Sequence, residues 1–291
     1  MLLPVLLYFI IFRYGPIFGV TIAFQEFIPR PGQSFFQSIR TSEWVGLTHF
    51  IKFFSNPMRI QVLYNTVIIS AYKIIFGFPA PIILALMLNE INSQRFKRIA
   101  QTITYLPHFI SWIILSGILR LILSPDFGVI VPVFKILKMD TVNFLGDAKY
   151  FRGLLVVTDI WQSIGWGSII YLAAISGIDH QIYEAATIDG AGRFRKLLHI
   201  TLPSIASTIV IMFILRTGKI MRAGFDQVFN LYNPAVYKVA DILETYIYRV
   251  GLIQNQFSYT SAVGLFQSLI GFIMVLIANY LAKMLGQEGI W

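Results

Sequence analysis

Lys73, Asp159, Arg216, Lys219 and Arg222 each interrupt a long apolar stretch, and their placement calls for a chemical explanation. An ionisable side chain midway along a membrane-length apolar segment costs about 2.5–3.5 kcal/mol on insertion scales, so each needs a partner or a polar pathway. Arg216, Lys219 and Arg222 recur every three residues and therefore share one side of a helix drawn through them. Gathered around Asp159, such cations form a lining that receives an anionic solute, with the carboxylate as counter-charge or hydroxyl acceptor. The same residues also suit snorkelling to the headgroups and structural ion pairing. Arg120 and Arg222 lie near segment ends and fit snorkelling, whereas Lys73 and Arg216 lie deeper and fit a lining.

Other chemistries are excluded. The sequence has no cysteine, so disulfides, iron–sulfur clusters and thiolate zinc sites are ruled out. His49, His108, His180 and His199 show no metal-ligand spacing and read as loop and interface residues, leaving no metal site and no catalytic set. No G-x4-G-K-[ST] phosphate loop occurs. Gly190-Ala191-Gly192 follows a polar loop rather than a strand, so it is no dinucleotide fingerprint.

The elements that hold these residues are apolar blocks. Of 291 residues, 56% are hydrophobic and 13% charged. The mean hydropathy is +0.70. Soluble domains carry about 25% charged residues. A bilayer-crossing helix needs about 20 mostly apolar residues. Six segments meet that length, roughly 2–24, 62–88, 99–123, 153–176, 203–223 and 261–285. The reading is an all-α, multi-pass membrane protein, a single transmembrane domain over 1–291 with core spans at 62–285 and an additional N-terminal span at 2–24. Breakers such as Gly77, Pro79, Pro81, Gly165 and Gly167 argue for close-packed helices around a pathway. The start, Met1-Leu2-Leu3-Pro4, lacks the basic head of a cleavable signal and suggests a trimmed or unusually short tail.

Six spans put the long connections 25–61, 124–152 and 224–260 on one face, and 89–98 and 177–202 on the other. The short loops carry Arg95, Lys97, Arg98, Arg193, Arg195 and Lys196, which places them in the cytoplasm. The long loops hold basic residues too, Arg30, Lys52, Arg59, Lys149 and Arg152 among them, but long loops count little in that rule. The net charge of +9 is spread through loops and helix ends, without the dense run that nucleic acid would need.

The stretch Tyr183 to Pro203 reads YEAATIDGAGRFRKLLHITLP. Glu184-Ala185-Ala186, then Gly190, then Ile200-x-Leu202-Pro203 resembles the EAA-x3-G-x9-I-x-L-P cytoplasmic loop of ABC importer permeases. Its spacing makes physical sense. Ala185 and Ala186 allow close helix packing, and Glu184 and Asp189 offer carboxylates to a basic partner. Gly190 ends the short helix, and Pro203 suits the first turn of the next span. Trp44-Val45-Gly46-Leu47, with Phe50 through Asn65-Thr66, looks like the lead into the second span of carbohydrate permeases. Asn230-Leu231-Tyr232-Asn233-Pro234, Ala240-Asp241 and Tyr248-Arg249-Val250-Gly251 are similar to a branch that imports oligosaccharides cut from complex, often acidic polysaccharides such as alginate or pectin.

The resemblance implies a type I ABC importer permease fold of six transmembrane helices with a coupling helix in the EAA loop. Glu184, Ala185, Ala186, Asp189 and Gly190 then couple to an ATPase. Lys73, Asp159, Arg216, Lys219 and Trp161 become candidates for the substrate pathway, and Trp166, Tyr72 and Phe225 for stacking on sugar rings. It further implies a second permease, two ATPase subunits that bind ATP and magnesium, an external solute-binding protein and a bacterial cytoplasmic membrane. The chain itself needs no cofactor and makes no bonds. An ion-coupled secondary sugar transporter or a channel is the alternative class, although the EAA loop has no role there. Residues 239–250 carry a helix-like apolar face that either docks the binding protein, covers the mouth, or packs on the bundle.

Overall fold

The computed structural model describes residues 2–29, 31–284, 286, 289 and 290, so Arg30 of the outer loops and Leu285 of the sixth expected span lie outside it. In chain order the main helices are α1 (Leu3–Phe24), α2 (Thr48–Phe54), α3 (Pro57–Asn89), α4 (Gln94–Phe109) and α5 (Trp112–Ile122), followed by α6 (Ala148–Ser176) and α7 (His180–Ile188). Then come α8 (Arg193–Ser204), α9 (Ala206–Thr217), α10 (Phe225–Leu231), α11 (Leu243–Ile247) and α12 (Phe257–Met284). Among the described residues the sheet content is one antiparallel ribbon, β1 (Gln25–Glu26) against β2 (Glu43–Trp44).

Helices α1, α3, α6 and α12 are each long and apolar enough to cross a bilayer. The expected third and fifth spans are bent pairs. Helices α4 and α5 meet at 104°, and α8 and α9 at 61°, so six crossings result when each pair counts as one. The causes are local. Pro107 ends α4 in a tight turn, and the Ser111 side chain accepts from the Ile114 N–H to start α5 in a new direction. Pro203 does not open the fifth span, as expected from sequence, but closes α8 just before the bend at Ile205. Its missing N–H accompanies the wide turn Leu197–Thr201 one step earlier.

Polar caps set the other starts. The side chains of Asn56, Asp147 and Asp179 accept from backbone N–H groups at Met58, Lys149 and Gln181. Helix α6 is the axis of the bundle, packed along α3 and crossed by α4. At the α4 crossing a Cβ on Gly165 would lie 2.0 Å from the Thr104 carbonyl oxygen, so only glycine permits the approach. The outer core joins Ile69, Leu115, Phe151, Leu155 and Val228. The opposite end packs Ile82, Tyr171, Ile175 and Ile205 together.

The apolar face expected at 239–250 packs on the bundle. A short helical turn at Tyr237–Ala240 is separated from α11 by Asp241–Ile242, and Ile242 and Leu243 are fully buried. Asn65 donates to the carbonyls of Lys238 and Asp241 at 3.1 and 3.0 Å, and the Thr66 hydroxyl accepts from the Leu243 N–H at 2.8 Å. Arg152 reaches Asn65 Oδ1 at 2.7 Å, closing the knot from α6. Asp241 and Arg249 form a two-pronged pair at 2.6 and 3.2 Å. That carboxylate holds the guanidinium above its ordinary range. Two sequence stretches singled out separately thus fasten to each other.

Candidate functional site

Lys73 lies halfway along α3, buried, and directs its ammonium at three protein acceptors. It donates to Asp159 Oδ1 at 3.0 Å, to the Ala223 carbonyl at 2.8 Å and to Gln227 Oε1. An ammonium has three N–H groups, so Lys73 is saturated. Gln227 in turn donates to the Leu155 carbonyl and the Thr158 hydroxyl at 2.7 and 2.8 Å. The cluster therefore pins α3, α6 and the turn before α10 together. The other carboxylate oxygen of Asp159 lies 3.5 Å from Arg216 Nη2.

The three-residue stripe is not one helix face. Helix α9 ends at Thr217 and the chain turns through residues 218–224. Gly224 has a φ of 99°, a conformation that favours glycine, and its N–H donates to Glu244 Oε2 at 3.0 Å. Burial pushes the Glu244 carboxyl above the ordinary range, and this N–H and the Arg222 charge offset part of that rise. The turn nevertheless brings the side chains to one place. A cavity of about 160 Å³ is lined by Lys73, Arg216, Lys219 and Arg222 against the single carboxylate of Asp159. Among the described residues Lys219 and Arg222 form no ion pair. The cations with N–H groups left for a ligand are thus Arg216, Lys219 and Arg222 rather than Lys73. Arg120 does not join them; exposed near the end of α5, it donates to the Asn230 carbonyl at the end of α10, at 2.7 Å.

Beside it, at the α4–α5 bend, a second cavity of about 540 Å³ carries Phe109, Phe225, Phe229, Gln162, Asp226 and Asn230. Phe225 stacks on Phe229 at 5.1 Å, and Trp166 stacks on His108 at 4.7 Å. Trp161 is half-exposed and lines neither cavity, nor does Tyr72. Gln227, Gln162 and Phe229 had escaped notice in the sequence. No local period marks them, because their roles depend on the turn at 218–224.

The EAA stretch builds α7. Glu184, Ala185, Asp189 and Gly190 are exposed, and Ala186 is half-buried. Asp189 and Ala191 donate their N–H groups to the carbonyls of Ala185 and Ala186, closing the helix over Gly190 at φ 75°. Tyr183 and Thr201 share a hydrogen bond of 2.9 Å, and Lys196 donates to Thr187 at 2.6 Å, so α7 is tied to α8. Ile182, Ile188 and Phe194 stand in solvent around it.

The family model of the binding-protein-dependent transport system inner membrane component matches residues 77–287. Protein LplB of Bacillus subtilis (strain 168) is 46% identical over all of this chain and 90% of its own length. The polygalacturonan/rhamnogalacturonan transport system permease protein YteP of the same organism is 45% identical, over all of this chain and 89% of its own. Among solved structures, a chain of a bacterial alginate ABC transporter, crystallised in complex with an alginate pentasaccharide-bound periplasmic protein, superposes with a TM-score of 0.90. It is 37% identical and covered to 95%, with all of this chain covered. These likenesses set aside the ion-coupled transporter and channel readings. The chain belongs to the binding-protein-dependent inner membrane component family and is a permease subunit of an ABC importer, with the type I permease fold.

Proposed function

We propose that the subunit forms one half of a pathway for an acidic oligosaccharide, and that the cavity around Arg216, Lys219 and Arg222 receives its carboxylates. The observation that carries this is the charge imbalance, four basic side chains against one carboxylate in one small cavity. Asp159 and Lys73 position Arg216. The aromatic cavity beside it offers Phe225 and Phe229 to sugar faces and Gln162, Asp226 and Asn230 to hydroxyls. Trp161 has no part in either wall. The names of two relatives agree in class, one a polygalacturonan/rhamnogalacturonan permease and one part of an alginate transporter.

A homologous second permease supplies the other half, an extracytoplasmic binding protein delivers the sugar, and two ATPase subunits hold ATP and magnesium. This chain makes and breaks no bonds and holds no cofactor of its own. Closure of the ATPase pair moves α7 through Glu184, Ala185, Ala186, Asp189 and Gly190, and α8 passes the motion to α9 and the cavity. The apolar side chains exposed around α7 suit burial in such a partner. The test is uptake by the whole transporter in proteoliposomes, with uronate-containing and neutral oligosaccharides of equal length. Faster uptake of the uronate series is expected. Faster uptake of the neutral series contradicts the proposal.

A further inference from the structure

The end of α1 and the start of α12 meet on the side opposite α7, and a cavity of about 490 Å³ opens between them and α2. It lies apart from the cationic cavity and carries charge of both signs. One wall is cationic. Lys52 lines it, and the first N–H groups of α12, a helix of 28 residues, lack intrahelical acceptors there. Tyr259 forms the floor, with Lys52 Nζ 5.5 Å and Arg59 Cζ 5.1 Å from its ring centroid.

The opposite wall accepts hydrogen bonds. Glu26 presents an exposed carboxylate, and its oxygen lies 3.5 Å from His49 Nε2. His49 is 4% exposed, with Nε2 3.1 Å from the Gln25 carbonyl oxygen. A neutral ring donating there leaves Nδ1 as an acceptor, and Nδ1 is buried without a partner. Ser258 accepts from the Phe27 N–H at 2.7 Å and holds the two walls in register. Phe27, Ile28 and Pro29 give the rim an apolar edge.

A plain anion would meet Glu26 as a like charge, and a plain cation would meet Lys52. A zwitterion satisfies both walls. The cavity sits at the ends of two membrane-length helices, α1 and α12, on the side opposite α7. We propose that it is a binding site for the headgroup of an ethanolamine phospholipid of the outer leaflet. The phosphate lies against Lys52 and the α12 N-terminus, and the ammonium lies against Glu26.

Native mass spectrometry of the assembled transporter, released from detergent, provides the test. Phosphatidylethanolamine, phosphatidylglycerol and free phosphoethanolamine are offered at equal concentration. The wild type should retain phosphatidylethanolamine over phosphatidylglycerol by on the order of fivefold. Glu26→Gln should erase that preference, and Lys52→Gln should weaken retention of both lipids. If Glu26→Gln is not recovered folded, the wild-type ratio and Lys52→Gln still decide. Equal retention of the two lipids by the wild type, or retention unchanged in both variants, overturns the proposal. Retention of free phosphoethanolamine as strong as that of the lipid overturns the membrane source and leaves a soluble zwitterion.

Discussion

A lysine midway along an apolar helix must end on acceptors, and Lys73 reaches three, which decides what its replacement does. Losing one partner of a buried charge cluster typically costs about 3–5 kcal/mol. Lys73→Met should therefore lower the folded, monodisperse fraction on heating in detergent. Combined with Asp159→Asn it should cost less than the two single changes together, since both break the same contact. Additive losses would show that the two residues act separately. At this scale the sequence was legible in part. Insertion cost alone singled out Lys73, Asp159, Arg216 and Lys219, and all four line one cavity. The division of labour was not legible, because the Ala223 carbonyl and Gln227, which complete the set of acceptors around Lys73, come from the turn before α10 and from α10 itself, 150 and 154 residues away.

At the scale of elements, hydropathy recorded length but not direction. The blocks at 99–123 and 203–223 each read as one span, yet the first bends by 104° and the second begins at a 61° bend around Ile205. Pro107 and Pro203 were present as signals, but a proline marks where a helix ends rather than where the next one points. The EAA stretch was legible in more detail, because five residues at fixed spacing specify a short helix and its stop. Gly190→Val forces a β-branched residue into φ 75°, a strained conformation that should loosen the end of α7. Glu184→Lys reverses an exposed charge without touching the fold. Both variants should lose co-purification with the ATPase and substrate-stimulated hydrolysis, while the permease itself stays folded. Wild-type values of both readouts in Glu184→Lys would remove α7 from coupling.

At the scale of the molecule, the positive-inside pattern and the EAA loop place the same side in the cytoplasm. The chain has no native cysteine, so labelling starts from a clean background. Lys97→Cys and Arg195→Cys should resist an impermeant maleimide in intact cells, and Asp140→Cys should react. Reaction at 97 or 195 from outside would invert the topology. The central claim is that Arg216 and Lys219 recognise the acid groups of the cargo. Each charged hydrogen bond to a carboxylate is typically worth about 1.5–3 kcal/mol, or roughly tenfold to a hundredfold in affinity. The direct measurement is competitive uptake of paired uronate and neutral oligosaccharides by the reconstituted transporter, wild type against Arg216→Gln and Lys219→Gln. Recognition at these residues requires the acidic-to-neutral uptake ratio to fall by about tenfold or more, with basal ATP hydrolysis unchanged. An acidic-to-neutral ratio equal to that of the wild type, however much total uptake falls, would contradict it.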